Sequence, residues 1–378
     1  VMSEPHSASD AVEPPTSWTG VALGLGLGAL AAYHLFKLPP VLPILLRQYD
    51  YGLFAAGGFM SIYAAIGLVT SALLGSKLQR HGMPPFLLAA ALFFIVGSVL
   101  TLAAPAAVPL MFLARGLEGL GFAILAVAAP VLATASASNR HKTLAIALFA
   151  AWIPLGQLIA MAIAHTFVGI AEWRPIWWVG IGLTVVVVAW GWRAAIRNIP
   201  LRAAANSGGP VPLSNFSRRH QLALVLVAAT FTLWSAETFA MLTWLPQYLV
   251  EARGLGAEST ILAYAIPSIL ILIFNIVSGF LLRAGVPLAP VLALSLAFQA
   301  AVWFVLPYLD SSTLGLAGLI VFGIAAGISA TFLFAAPALI LGGVVLTVVA
   351  LAIDGRLSSP ANAPMSSCEL PGRKPGLS

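Results

Sequence analysis

Three charged residues lie inside long apolar stretches of this chain: Arg115, Glu118 and Glu237. A charged side chain within a membrane-spanning helix costs roughly 2.5–3.5 kcal/mol on insertion scales, so such residues are the first candidates for function. Arg115 and Glu118 are three residues apart and therefore share one face of a helix. Arg115 could attract an anion or modulate a proton-binding carboxylate; alternatively, the two residues only neutralise each other.

Glu237 has no basic residue within one helical turn. An unpaired carboxyl group in a medium of low dielectric constant can take up and release a proton near neutral pH, as proton-coupled transport requires. The alternative is a hydrated carboxylate at the mouth of a cavity. Two histidines near predicted helix ends are either titrating groups or interfacial residues, and two amides are candidate hydrogen-bond partners of a solute. These four residues are His34, His165, Gln157 and Asn275.

The composition indicates a membrane protein whose fold is all-α. Of 378 residues, 60% are hydrophobic and 8% charged, with a mean hydropathy of +1.00. A soluble domain carries about 25% charged residues, so this chain could not cover itself with a polar surface. The net charge of +6 comes from residues in short gaps between apolar runs, which favours a bilayer and not nucleic acid as the partner. Cys368 stands alone, and we expect no disulfide, metal or cofactor.

Apolar runs long enough for a bilayer recur along the chain and predict about eleven membrane-spanning helices. Helices are expected because each isolated span must satisfy its own backbone groups. The predicted spans are 18–36, 53–74, 86–104, 110–134, 144–168, 176–192, 221–245, 259–282, 288–309, 313–334 and 335–353. Tryptophans at both ends of the sixth span, Trp173, Trp177, Trp178, Trp190 and Trp192, are typical of interfacial anchors.

Basic residues concentrate in alternate gaps, which predicts a cytoplasmic N-terminus. The first seventeen residues hold no Lys or Arg, so we expect no cleaved signal peptide. The basic residues of the even-numbered gaps are Lys77, Arg80, Arg140, Lys142, Arg193, Arg197, Arg202, Arg218, Arg219 and Arg283. Those of the opposite gaps are Lys37, Arg47, Arg174 and Arg253.

The longest gap contains the flexible run 206–210 and divides the spans into six and five. The predicted parts are a cytoplasmic tail (1–17), a six-helix bundle (18–196), a cytoplasmic linker (197–219), a bundle of about five helices (220–353) and a disordered tail (354–378). One helix is then missing from the second half. A deletion, a frameshift or a truncated gene would produce this, so a remnant that transports nothing is one alternative.

The two halves share short matches in the same order, which indicates parallel repeats. Leu42-Pro43 corresponds to Leu245-Pro246, after the first and seventh spans. Gly75 to Gly82 corresponds to Gly279 to Gly285, and Pro130 corresponds to Pro337. Single matches of this kind are frequent in so apolar a composition. The evidence for a repeat is that three matches occur in the same order in both halves.

These residues resemble the major facilitator superfamily. Gly75, Arg80 and Gly82 match the signature loop between its second and third helices, although Gln79 stands where the family has Asp. Arg115, followed by Gly119 and Gly121, is similar to its fourth-helix motif, in which Gly116, Gly119 and Gly121 are expected to permit close helix packing. The run from Thr243 to Leu249 is similar to cyanate-permease-like and organic-anion permeases.

The resemblance implies two helical bundles, a substrate cavity between them and alternating access. Family members couple transport to protons, sodium or a counter-substrate, or act as uniporters. We therefore expect a monomeric secondary transporter, not an enzyme, in a bacterial cytoplasmic (inner) membrane. It would be a permease that moves a small solute, with anions as the favoured candidates, as a proton symporter. Arg115 would bind the anion or couple transport, and Glu237 would be the proton site. The alternatives are an exporter of hydrophobic or cationic compounds, the remnant, and an intramembrane enzyme. Clustered His, Asp or Ser motifs would indicate an enzyme, and these spans lack such motifs.

Overall fold

A computed structural model describes residues 15–81, 83–196, 217–309 and 312–357 of the chain, and the regular structure in these parts is helical. The first eight helices are α1 (Trp18–Phe36), α2 (Leu42–Tyr49), α3 (Leu53–His81), α4 (Met83–Ala103), α5 (Val108–Ala135), α6 (Asn139–Phe149), α7 (Trp152–Val168) and α8 (Arg174–Ile196). The others are α9 (Arg218–Glu251), α10 (Ala257–Arg283), α11 (Leu288–Val305) and α12 (Ser312–Leu357).

The helices are apolar and long enough for a membrane protein. Within the described residues, eight helical segments could cross a bilayer by length and composition, and Leu53–Gly67 and Trp152–Val168 are shorter apolar helices. The all-α membrane fold predicted from the sequence is therefore confirmed. The predicted number of about eleven spans is not.

Three predicted spans have different boundaries in the structure. The spans predicted at 313–334 and 335–353 form one continuous helix, α12, because no turn-forming or polar segment interrupts the apolar run between them. The span predicted at 144–168 is divided into α6 and α7 by a turn at residues 150–151. Pro154 has no N–H to donate to the carbonyl of residue 150, which weakens the helix at that point.

The predicted gap after the first span also contains helical structure. A 3₁₀ turn at Pro39–Val41 continues the chain from α1 into α2, and the apolar side chains of this segment are buried. The left-handed backbone of Asp50, with φ of 51°, ends α2. Lys37 therefore belongs to the helical core, and not to an exposed loop.

Each half of the chain packs around one helix. In the first half, α5 contacts α1, α3 and α4; in the second half, α12 contacts α9, α10 and α11 in the same order along the chain. Contacts between the halves include α7 with α10, and α2 with α9. At this junction a cleft of about 190 Å³ is lined by residues that include Pro43, Arg47, Val168, Leu255 and Thr260.

Some predictions concern residues outside the described parts of the chain. Gly82, most of the predicted N-terminal tail, residues 197–216 of the predicted linker (197–219) and the tail after residue 357 lie there. The end of the predicted linker, Arg218 and Arg219, is already the first turn of α9. Gly75 and Arg80 lie near the end of α3, where the structure describes the helix but not the surroundings of these two residues. The proposed signature loop and the domain boundaries accordingly stay predictions.

Candidate functional site

A cluster of charged side chains is buried between α1, α4 and α5. Lys37 Nζ lies 2.6 Å from Glu118 Oε1, and Arg115 Nη1 lies 2.6 Å from Glu118 Oε2. All three side chains are fully buried. Two cations thus share one carboxylate inside the first half of the protein, and we call Lys37, Arg115, Glu118, His34 and Ser98 the buried cluster.

The guanidinium of Arg115 is fully occupied by protein groups. Its Nε donates to the Phe59 carbonyl at 3.4 Å. Nη1 donates to Glu118 and to the carbonyl of His34 at 3.1 Å, while Nη2 donates to the carbonyl of Leu35 at 3.3 Å and to Met60 Sδ at 3.6 Å. An arginine has five N–H donors, so none is left here for a solute anion.

Lys37 is the charged residue that sequence analysis assigned to a loop. Its ammonium donates to Glu118, to Ser98 Oγ at 2.9 Å and to His34 Nδ1 at 3.1 Å. Ser98 in turn donates to Glu118 Oε1 at 2.8 Å. The available signal was that Lys37 follows His34 by three residues and is flanked by Phe36 and Leu38, so the apolar run continues on both sides of the charge.

The hydrogen bonds of His34 define which ring nitrogen carries the proton. Thr184 Oγ1 donates to the Gly180 carbonyl at 2.8 Å, so it accepts from His34 Nε2, which lies 2.9 Å away. Nε2 is therefore protonated, and Nδ1 is free to accept from Lys37. A neutral imidazole satisfies both contacts, as one nitrogen donates and the other accepts.

Aromatic rings enclose the buried cluster. Phe94 stacks on His34 with ring centroids 4.0 Å apart, and the Arg115 guanidinium carbon lies 4.4 Å from the centre of the Tyr63 ring. Lys37 Nζ lies 4.9 Å from the centre of the Trp177 ring. Trp173 and Trp177 are fully buried and so are not the interfacial anchors that were expected, because they pack inside the first half.

Glu237 lies apart from the buried cluster, in the middle of α9. Its Oε1 accepts from the indole Nε1 of Trp303 on α11, and Oε2 accepts from Thr238 Oγ1 at 3.2 Å. No ion pair of Glu237 is found among the described residues. Within the described parts of the chain the carboxyl group is held by neutral donors, and no cation compensates its charge.

The predicted amides occupy two different places. Gln157 Nε2 donates to the hydroxyl of Tyr264 at 2.9 Å, which joins α7 to α10 across the two halves. Asn275 accepts from Thr331 Oγ1, which joins α10 to α12 within the second half. His165 is exposed in the last turn of α7. The structure therefore gathers Arg115, Glu118 and His34, and leaves the other candidates elsewhere.

The glycines of the fourth predicted span permit close helix contacts. A Cβ atom at Gly119 would lie 2.9 Å from the carbonyl oxygen of Tyr63 on α3. At Gly121 it would lie 3.1 Å from the carbonyl of Ala90 on α4. At Gly116 it would meet only the tip of Ile66 at 3.1 Å. Close contact with the backbone of a neighbouring helix therefore occurs at Gly119 and Gly121, whereas Gly116 meets a side chain.

Comparisons with known proteins agree with this architecture. The crystal structure of a D-xylose-proton symporter superposes with a TM-score of 0.63 over 85% of this chain and 87% of that one, at 12% sequence identity, a likeness that shows the fold alone. A comparison with curated protein sequences found no match. The sequence profile of the Major Facilitator Superfamily matches residues 21–358. The chain therefore belongs to the major facilitator superfamily of secondary transporters.

Proposed function

We propose that this secondary transporter moves a small solute together with protons, and that Glu237 is a proton-binding site. The observation that carries the proposal is a carboxyl group in a spanning helix, bonded to Trp303 and Thr238 but to no cation in the described chain. Such a group exchanges its charge for a proton more readily than one that is ion-paired. Its protonation would couple solute movement to the proton gradient.

Alternating access is supported by the contacts between the halves. The bond from Gln157 to Tyr264 and the contact of Phe36 with Phe239, whose ring centroids are 5.7 Å apart, connect side chains of opposite halves. These contacts hold no ion pair and can separate at modest cost, because a neutral hydrogen bond contributes about 0.5–1.5 kcal/mol. A rocking motion of the halves would open and close the space between them.

The charge of the solute distinguishes two forms of the proposal. A small anion would need a cation with free donors, and those of Arg115 are occupied by protein. A hydrophobic cation would find the carboxylate of Glu237 beside the aromatic ring of Trp303. Export of cationic or hydrophobic compounds is therefore the second candidate function, and this pair of residues favours it.

Uptake into proteoliposomes tests both forms. We would impose a pH gradient and measure flux of malate and gluconate as anions and of ethidium as a lipophilic cation, with wild type, Glu237→Gln and Trp303→Phe. Glu237→Gln should abolish gradient-driven flux, because a glutamine cannot exchange a proton. Trp303→Phe removes the indole N–H but keeps an aromatic ring and leaves the Glu237 carboxyl group in place, so it should retain coupling.

The selectivity of the flux identifies the form of the function. Gradient-driven movement of ethidium alone supports the exporter, and movement of an anion supports the symporter. No flux of any probe through folded, inserted protein would overturn the proposal and favour the remnant. Unchanged flux in Glu237→Gln would remove Glu237 from the mechanism.

We also propose a bacterial cytoplasmic membrane with the N-terminus in the cytoplasm. Lys37 is buried, so it no longer counts among the basic residues of the opposite side, where Arg47, Arg174 and Arg253 remain. The charge asymmetry that supports this orientation is therefore larger than the sequence alone indicated. Maleimide labelling of Cys368 from each side of the membrane would locate the C-terminal end, and a cysteine at Ser3 would locate the N-terminal end.

A further inference from the structure

The buried cluster contains two positive side chains and one negative side chain, so it carries one surplus positive charge. Arg115 and Lys37 are cationic, and among the described residues Glu118 is the single carboxylate paired with them. Burying an ion without a counter-ion is unfavourable, because the ion loses its hydration without a compensating partner. The surplus can be relieved by binding an anion or by losing a proton.

The hydrogen bonds decide between these two possibilities. Every donor of Arg115 and all three of the Lys37 ammonium are already used by protein acceptors. An anion would find no donor on either side chain. Arginine does not lose its proton in proteins, so Lys37 is the cation that can.

We propose that Lys37 and His34 together form a second proton-binding site of the transporter, one that rests on the proposed proton coupling. Lys37 Nζ gives a proton to His34 Nδ1, 3.1 Å away, and the Nε2 proton of His34 passes toward Thr184. The Thr184 hydroxyl takes up this proton as it releases its own, which passes to solvent outside the cluster. Lys37 is then a neutral amine, and the charges of Arg115 and Glu118 balance.

When Lys37 is neutral, the same groups remain hydrogen-bonded, but donor and acceptor are exchanged in the bonds of His34 with Lys37 and Thr184. His34 now carries its proton on Nδ1 and donates it to the lone pair of Lys37. Its Nε2 accepts from the hydroxyl of Thr184, which turns away from the Gly180 carbonyl. The two hydrogens left on Lys37 bond to Ser98 and Glu118. The position of the proton on His34 therefore reports the charge of Lys37.

The groups around the site limit what else could titrate. Among the described residues, α1 contributes Tyr33 and His34, α3 contributes Tyr63, and α5 contributes Arg115 and Glu118. From α4 and α8 the neighbours are side chains that do not ionise: Ser98, Thr184 and Trp177. Glu237 is not among these neighbours, so the two sites are separate.

The position of the His34 proton can be measured without knowing the solute. We would label the histidines with ¹⁵N, place the full chain in lipid nanodiscs and follow the imidazole nitrogen shifts as the pH is raised, with His34→Gln to assign the signal. The wild type should change from the Nε2–H form to the Nδ1–H form. Lys37→Arg should stay in the Nε2–H form, because arginine remains charged.

Two further variants keep this result interpretable. Lys37→Met removes the proton donor and should also stay in the Nε2–H form, whereas Lys142→Met, which removes an exposed lysine of α6, should behave as wild type. A wild-type His34 that keeps its Nε2 proton at every pH would overturn the proposal. A change of form that persists in Lys37→Met would do the same.

Transport then separates this inference from the proposed function. Lys37→Arg should lose gradient-driven flux of whichever of malate, gluconate or ethidium the wild type moves. If no probe moves in wild type, the proposed function fails while the His34 result stands. If Glu237→Gln loses coupling and Lys37→Arg keeps it, the function stands and the second site is refuted.

Discussion

At the scale of single residues, Glu118 is the counter-ion that allows two cations to be buried. Its Oε1 accepts from Lys37 and Ser98, and its Oε2 accepts from Arg115. The exposed ion pair of Arg174 with Glu172, at 3.6 Å, provides a contrast within the same protein. Exposed pairs contribute at most about 1 kcal/mol, whereas removal of one partner from a buried pair costs about 3–5 kcal/mol.

We predict that Glu118→Gln destabilises the protein by about 3–5 kcal/mol, because it leaves Lys37 and Arg115 without a counter-ion. Thermal unfolding in detergent would measure the loss. Glu172→Gln is the matched control and should cost less than about 1 kcal/mol. A Glu118→Gln protein that unfolds like the control would contradict the prediction.

The surplus charge also predicts how the two substitutions combine. Lys37→Met alone removes the unmatched positive charge and should cost less than Glu118→Gln. In the double variant, Glu118→Gln should cost less than it does alone, since one of the two stranded cations is gone. A double-mutant cycle on the same unfolding measurement checks this. Additive losses would show that Lys37 and Glu118 do not interact.

At the scale of helices, glycines determine how closely neighbours approach. Gly119 on α5 lies against Tyr63 of α3, and Gly327 on α12 lies against Ile271 of α10, where an added Cβ would come within 2.9 Å of the backbone carbonyl in both cases. The equivalent helices of the two halves therefore meet through equivalent small residues. Small residues serve this purpose in membrane bundles because they let backbones touch.

We predict that Gly119→Ala costs about 1–3 kcal/mol, because the clash is with rigid backbone and not with a flexible side chain. Gly182→Ala on α8 is the control, since a Cβ there meets nothing within 4 Å. Alanine stabilises a helix by about 0.5–1 kcal/mol relative to glycine, so the control variant should unfold at the same temperature as wild type or at a higher one. Equal effects of the two substitutions would contradict the packing argument.

At the scale of the whole molecule, the two halves meet beside the turn between α7 and α8. A Cβ atom at Gly169 would lie 2.7 Å from Glu258 Oε1, in the first turn of α10. Gln157 and Tyr264 connect the same pair of helices deeper in the protein. Under alternating access these contacts must separate in each transport cycle.

Locking this end should therefore stop transport. Gly169→Cys with Glu258→Cys, in a Cys368→Ser background, should form a disulfide under oxidation, detectable by mass spectrometry of the linked peptides. Flux in proteoliposomes should be lost when the disulfide forms and return on reduction. Each single cysteine variant serves as a control and should not respond to oxidant. Full flux in the oxidised double variant would show that this contact does not need to open.

Much of the fold could be predicted from the sequence, because hydropathy is a local property. Apolar runs located most of the helices, and Arg115 with Glu118 was expected as a pair from its spacing of three residues. The limits of some helices were wrong where local composition gave no boundary, as in the single helix α12. The turn at residues 150–151 lies inside a continuous apolar run, so hydropathy gave no boundary there.

The sequence by itself determined that this protein is an all-helical membrane protein of a transporter family, since composition, hydropathy and short motifs are sufficient for that. Only the tertiary structure decided which charges meet. Lys37 and Glu118 are 81 residues apart, and their contact depends on the rotation of α1 and α5 about their axes. Helix rotation is set by packing against several neighbours at once, and no single segment of sequence contains that information. The same packing occupied the donors of Arg115 with protein acceptors, whereas the partners of Glu237 among the described residues are neutral donors.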